Sequence, residues 1–172
     1  MSEATPPPGD APSIDDAVST DGDERFSVDG ARRAAAEGAI ADWVHRFLAS
    51  PGSDNAALAS ELDDRLGWWL GPVLVPMRLL HRLAGPAGQP VVCVIDDEDW
   101  RDDLDEMEDD VRAGWEPPPV IVSFRDGQLV VEDGNHRIEA VRRAGAREVW
   151  TIIGFAAAAD RARYEQHPRS SA

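Results

Sequence analysis

The sequence contains no lysine: all seventeen of its basic residues are arginine, set against thirty-three acids for a formal net charge of -16. That absence excludes a P-loop lysine, a Schiff base and a lysine general base together. An anion bound by this chain has arginine, histidine and main-chain amides to hold it. The acid excess also argues against a broad nucleic-acid footprint, which needs a basic face. Cysteine is nearly absent. The single Cys93 excludes an internal disulfide, and its place in the apolar run "PVVCVI" reads as a small buried hydrophobe. No apolar run reaches about 18 residues, so no helix is expected to cross a membrane. The start, "MSEATPPPGDAPSIDD", lacks the basic opening and apolar stretch of a secretory signal. Cytoplasmic is therefore the expected location.

What is present fits one ordinary domain: 172 residues, 42% hydrophobic, enough chain to build a core. Residues 1–28 are rich in Pro, Gly, Ser and Asp and are expected to be a disordered tail. Residues 29–50 predict a helix, with Ile40, Trp43, Val44, Phe47 and Leu48 recurring at spacings of three and four. "SDNAALASELDDRL" predicts a second helix, capped by Ser53 or Asp54, with Leu58, Leu62 and Leu66 on one side. In "GWWLGPVLVPMRLLHRLAG" the breakers Gly71, Pro72 and Pro76 leave a short helix over Met77–Leu83. The first half thus reads as a helical extension over 29–86. Trp68 and Trp69 read either as core or as a wall over a neighbouring site.

From about residue 90 the pattern changes. "PVVCVI" is a short buried strand. A strongly acidic helix follows, with Trp100, Leu104, Met107 and Val111 as its apolar face. "EPPP" stops it. "VIVSF" and "QLVVE" flank Asp126-Gly127, a hairpin signal. A glycine turn then leads into a helix ending at Gly145, "EVWTIIGF" is a last strand, and 156–172 is a tail with a short helix.

The stretch "VVEDGNHRIEAVRRAG", residues 130–145, carries the chemistry. Gly134 lets the chain turn sharply and lets a ligand approach the backbone. Asp133 or Asn135 can cap the helix. The first-turn amides and the helix dipole favour an anion. Arg137 adds a planar donor fork suited to phosphate, and His136 adds a hydrogen-bonding ring. Arg142, Arg143 and Arg147 make the helix locally positive. A second reading stands beside this one: capped helices after Asp-Gly turns are common, and Arg142 and Arg143 can simply pair with the acidic helix.

The run "LDEMEDDVRAGWEPPPVIVSFRDGQLVVEDGNHRIEAVRRAGAREVWTII" resembles the ParB/sulfiredoxin superfamily over about residues 90–154. The resemblance implies an α+β fold, a small mixed sheet with helices over residues 90–155; the order of elements, read separately, packs the helical N-terminal extension on it. The box differs among branches. ParB partition proteins have Gly-Glu-Arg-Arg and sulfiredoxins Gly-Cys-His-Arg, where this chain has Gly134-Asn135-His136-Arg137. The free-serine kinases have Asp-Gly-His-His-Arg, which Asp133, Gly134, His136 and Arg137 match and from which Asn135 departs. That branch implies nucleotide phosphates at Gly134, Asn135, His136 and Arg137. It implies carboxylates at the transfer centre, Asp133 and Glu98 (or Asp97). The cofactor so implied is Mg2+ with ATP, ADP or CTP, for a phosphotransferase acting on a small hydroxyl compound. The alternative is a ParB-like nucleotide-sensing or partner-binding module without turnover; DNA binding or nuclease action ranks below both. Expected partners are a nucleotide and a small-molecule acceptor, with no nucleic acid and no membrane, and a homodimer as the candidate assembly.

Overall fold

The computed structural model describes residues 26–51, 53, 55–82 and 101–166. The expected strand with Cys93, the candidate carboxylates Glu98 and Asp97, Trp100, Asp54 and the start up to residue 25 lie outside the described residues.

Three helices open the chain: α1 (Val28–Ala36), α2 (Ile40–Leu48) and α3 (Ala56–Arg65). The single helix expected over 29–50 is two. Gly38, at φ +73, ends α1, and its neighbour Ala39 donates back to the Ala34 carbonyl at 2.8 Å. This is the left-handed stop that glycine permits. Ser27 caps α1 by accepting from the Gly30 amide at 3.1 Å. For α3 the cap residue is Asn55, without a side-chain bond, rather than Ser53 or Asp54.

The next segment departs most from expectation. Trp68–Pro76 is a nine-residue strand, β1, followed by one 3-10 turn over Met77–Leu79 and the short strand β2 (Leu80–Arg82). Prolines argue against a helix, but an edge strand tolerates them where the missing N–H would face away from the ladder. Both β1 and β2 are edges, and the β1 register slips between Leu70 and Val73, around Gly71-Pro72. Residues 68–82 therefore close both sides of the sheet instead of extending a helical layer.

Then come α4 (Arg101–Arg112), β3 (Val120–Arg125), β4 (Gln128–Asp133), α5 (Asn135–Arg143), β5 (Glu148–Phe155) and α6 (Ala158–Gln166). The β3–β4 hairpin turns on Asp126 and Gly127, both at positive φ, as the Asp-Gly pair requires. The sheet order is β1-β5-β3-β4-β2. Its pairings are antiparallel for β1–β5 and β3–β4 and parallel for β3–β5 and β2–β4. The protein is an α+β fold built on one mixed sheet.

Strand alternation gives each face its own core. On one face α1–α3 pack Trp43, Phe47, Leu48, Leu62 and Leu66 against Ile121 and Ile152. Trp43 and Phe47 stack at 5.3 Å. Trp69 belongs to this core, whereas Trp68 is exposed. Gly154 lets the layer settle on β5: a Cβ there would lie 2.6 Å from Leu66 Cδ1 and 2.9 Å from the Trp69 ring. On the other face Ile138 of α5 joins Val120, Val122, Val131, Ile153 and Phe155. Each such fully buried side chain contributes roughly 1.5–3 kcal/mol of hydrophobic stabilisation. No helix among the described residues is long and apolar enough to cross a membrane.

Candidate functional site

The turn from β4 into α5 lies where the two cores meet. Gly134 is the residue before the helix, at φ +108. A Cβ there would sit 2.7 Å from Val120 Cγ1 and 3.1 Å from Arg137 Nη2. Glycine is thus needed twice, for the left-handed backbone and for the close approach of β3.

No side chain caps α5. The expectation that Asp133 or Asn135 would do so fails because Asp133 is committed elsewhere and Asn135 stands inside the first turn. The first intrahelical bond runs from the Ile138 amide to the Gly134 carbonyl at 3.0 Å. Helix geometry therefore leaves the amides of Asn135 and Arg137 without intrahelical acceptors. Beside them Asn135 Oδ1 is enclosed and has no hydrogen-bond donor. His136 is exposed.

Arg137 is not an open fork. Its guanidinium is buried. Nη2 pairs with Asp133 Oδ2, and Nη1 donates to the carbonyls of Pro118 at 2.9 Å and Pro119 at 2.8 Å. Its carbon lies 5.0 Å over the Phe47 ring of α2. Burial lowers the guanidinium's proton affinity, and the charge and hydrogen bond of Asp133 oppose that; arginine stays a cation regardless. In this arrangement Arg137 braces the turn against the "EPPP" segment, β4 and the helical layer. Turning it toward a phosphate would strand a carboxylate and two carbonyls.

The positive run along α5 is neutralised in the same way. Arg142 grips Glu139 through Nη2 at 2.6 Å and Nε at 2.8 Å. Arg143 reaches Glu139 at 3.2 Å, and Asp105 on α4 at 3.0 Å. The pairing alternative thus describes both arginines, although only Arg143 reaches the acidic helix. Burial alone would raise the Glu139 carboxyl, but the two arginines prevail and hold it below the ordinary carboxylate value.

A second polar cluster was not foreseen. The Glu132 side chain is fully enclosed. Its Oε1 accepts from Ser123 Oγ at 2.5 Å, from Arg65 Nη2 at 2.6 Å, and from Arg125 Nη2. Polar residues at 123, 125 and 132 in an otherwise apolar hairpin were a readable signal for one polar stripe. Arg65, 67 positions away on α3, was not. Glu132 and Arg137 together fasten the N-terminal helices to the two ends of the turn.

Among the described residues no group of three His, Cys, Asp or Glu side chains could hold a metal ion. Asp133 has only Oδ1 outside its ion pair. A magnesium ion held by protein carboxylates alone does not fit these residues. The turn presents an uncapped helix start and an exposed imidazole.

No family model matches the sequence, and no curated protein matches it. Similar solved structures include the C-terminally truncated chromosome-partitioning protein ParB from Caulobacter crescentus, complexed with CTP-gamma-S. It shares 22% identity at a TM-score of 0.34, over 52% of this chain and 44% of that one. Sulfiredoxin from Arabidopsis thaliana shares 20% identity at a TM-score of 0.35, over 54% of this chain and 96% of that one. The chain spans less than half of the length of the partition protein.

Proposed function

We propose that the protein binds the phosphate of a nucleotide at the Gly134–Arg137 turn. The observation that carries this is the uncapped start of α5. No side chain caps the helix, and the amides of Asn135 and Arg137 lack intrahelical acceptors. His136 adds a donor at the rim. Arg137 acts as a positioning residue that fixes the turn, in place of the direct phosphate fork read from the sequence.

Binding without turnover is the reading favoured by the Asp133–Arg137 pair, since a carboxylate held by a guanidinium is a weak base. The phosphotransferase reading needs Asp133 to offer its remaining oxygen and Glu98 to supply a second carboxylate. It also needs Mg2+, brought with ATP, ADP or CTP, to neutralise the transferring phosphoryl group. The fold neighbour solved with CTP-gamma-S is a partition protein; the proposal for this chain rests on its own turn.

Thermal unfolding with ATP, ADP, CTP and inorganic phosphate, each with and without Mg2+, tests the binding. A ligand at about 100 times its Kd stabilises by about 2.7 kcal/mol and should raise Tm by roughly 5–10 °C. His136→Ala should reduce the rise. No rise with any of the four ligands sinks the proposal. Product formation with a panel of hydroxy amino acids separates transfer from binding alone.

A further inference from the structure

A second concave site lies away from the turn, with no wall in residues 133–137. It is a cavity of about 270 Å³ between the end of α4, the middle of α5 and the start of β5. Its apolar walls are Leu74, Val111, Val141, Val149, Trp115 and Trp150. Trp115 and Leu74 are each 39% exposed, two of the four exposed large hydrophobic residues among those described. Half of these exposed side chains thus flank one cavity, as at binding sites.

The polarity of the cavity is one-sided. Among the described residues its only charged walls are Glu116 and Glu148, and no described arginine lines it. Glu116 accepts from Trp150 Nε1 at 2.8 Å, which fixes that indole. Glu148 is exposed, and none of the described arginines pairs with it. The Trp150 ring already attracts a cation from within the chain: the Arg32 guanidinium lies 4.5 Å from its centroid, and Arg32 is not a wall of the cavity. Two indoles and two carboxylates around an apolar slot match a ligand with an apolar body and one positive charge.

We propose that this cavity binds a small organic monocation, an ammonium or guanidinium carried on an apolar body. The body occupies the slot between Leu74, Val141 and the indoles, and the cation faces Glu148. The volume lies just under the roughly 300–1,000 Å³ of small-molecule pockets, so the occupant is small. A net charge of -16 adds a long-range attraction of the same sign.

Titration of the full chain with phenethylammonium, 2-phenylethanol and 3-phenylpropanoate tests this, read by calorimetry and by the indole N–H signals of Trp115 and Trp150. The ammonium should bind saturably, the neutral alcohol about tenfold more weakly, and the carboxylate not at all. Glu148→Gln should cost about five- to tenfold for the ammonium and little for the alcohol. Trp115→Ala, at an exposed position, should weaken the ammonium and the alcohol together. Equal binding of all three probes, no saturation by the ammonium, or an unchanged affinity in Glu148→Gln overturns the proposal.

Discussion

Replacing Arg137 by alanine separates a brace from a ligand-gripping residue. The change removes a buried cation and leaves Asp133 Oδ2 and the carbonyls of Pro118 and Pro119 without their donor. Breaking a buried ion pair by deleting one partner costs about 3–5 kcal/mol. Each stranded carbonyl adds about 1 kcal/mol unless water reaches it. Loss of the cation over Phe47 adds about 0.5–2 kcal/mol. These terms overlap, and the turn can relax. The expected loss is therefore about 3–5 kcal/mol, a large share of the 5–15 kcal/mol typical of a domain. Arg137→Lys keeps the charge but cannot serve three acceptors at once, so it should lose about 2 kcal/mol. Urea unfolding followed by tryptophan fluorescence measures both, and the six tryptophans supply the signal. If Arg137→Ala unfolds within about 1 kcal/mol of the parent yet no longer binds nucleotide, the brace assignment is wrong.

Three further outcomes follow from the same region. Gly134→Ala must place a methyl 2.7 Å from Val120 at φ +108, and should cost about 2–4 kcal/mol in the same unfolding assay. Glu132→Ala leaves Arg65 and Arg125 without their shared acceptor under the helical layer. It should lower stability by about 2–3 kcal/mol and raise hydrogen exchange in α3 before α5. Glu139 carries the pH dependence. Its pKa is lowered on folding, so its contribution is present above the unfolded value near 4.3 and is lost as pH falls through the folded value. Glu139→Gln should be less stable near pH 7, and should show a shallower loss as pH falls below the unfolded value; an unchanged slope removes Glu139 from that role.

The sequence disclosed what local chemistry controls. The hairpin at Asp126-Gly127, the helix stripes of Trp43 and Phe47 and the glycine turn all appear within a residue or two of where the pattern puts them. Gly38 was a visible breaker whose effect depended on its backbone adopting a positive φ. The edge strands were hidden because β1 carries glycine and prolines, signals that normally oppose a strand, and because its partner β5 lies some 75 positions onward. The site divides along the same line. The glycine turn can be read from Asp133 to Arg137, but its missing side-chain cap cannot. The pairing of Arg137 with Asp133 is local, four positions apart, but that Phe47 lies over the guanidinium depends on packing between segments about 90 positions apart. Side-chain type alone made Arg137 look like a phosphate donor; burial made it a strut.

Amide resonances of Asn135, His136 and Arg137, followed in a titration with ADP and Mg2+, test the phosphate site most directly. The expected result is saturable shifts centred on these three amides, with the Arg137 side-chain signals unmoved. Saturable binding that leaves the three amides untouched, or shifts confined to another part of the sheet, would contradict the assignment.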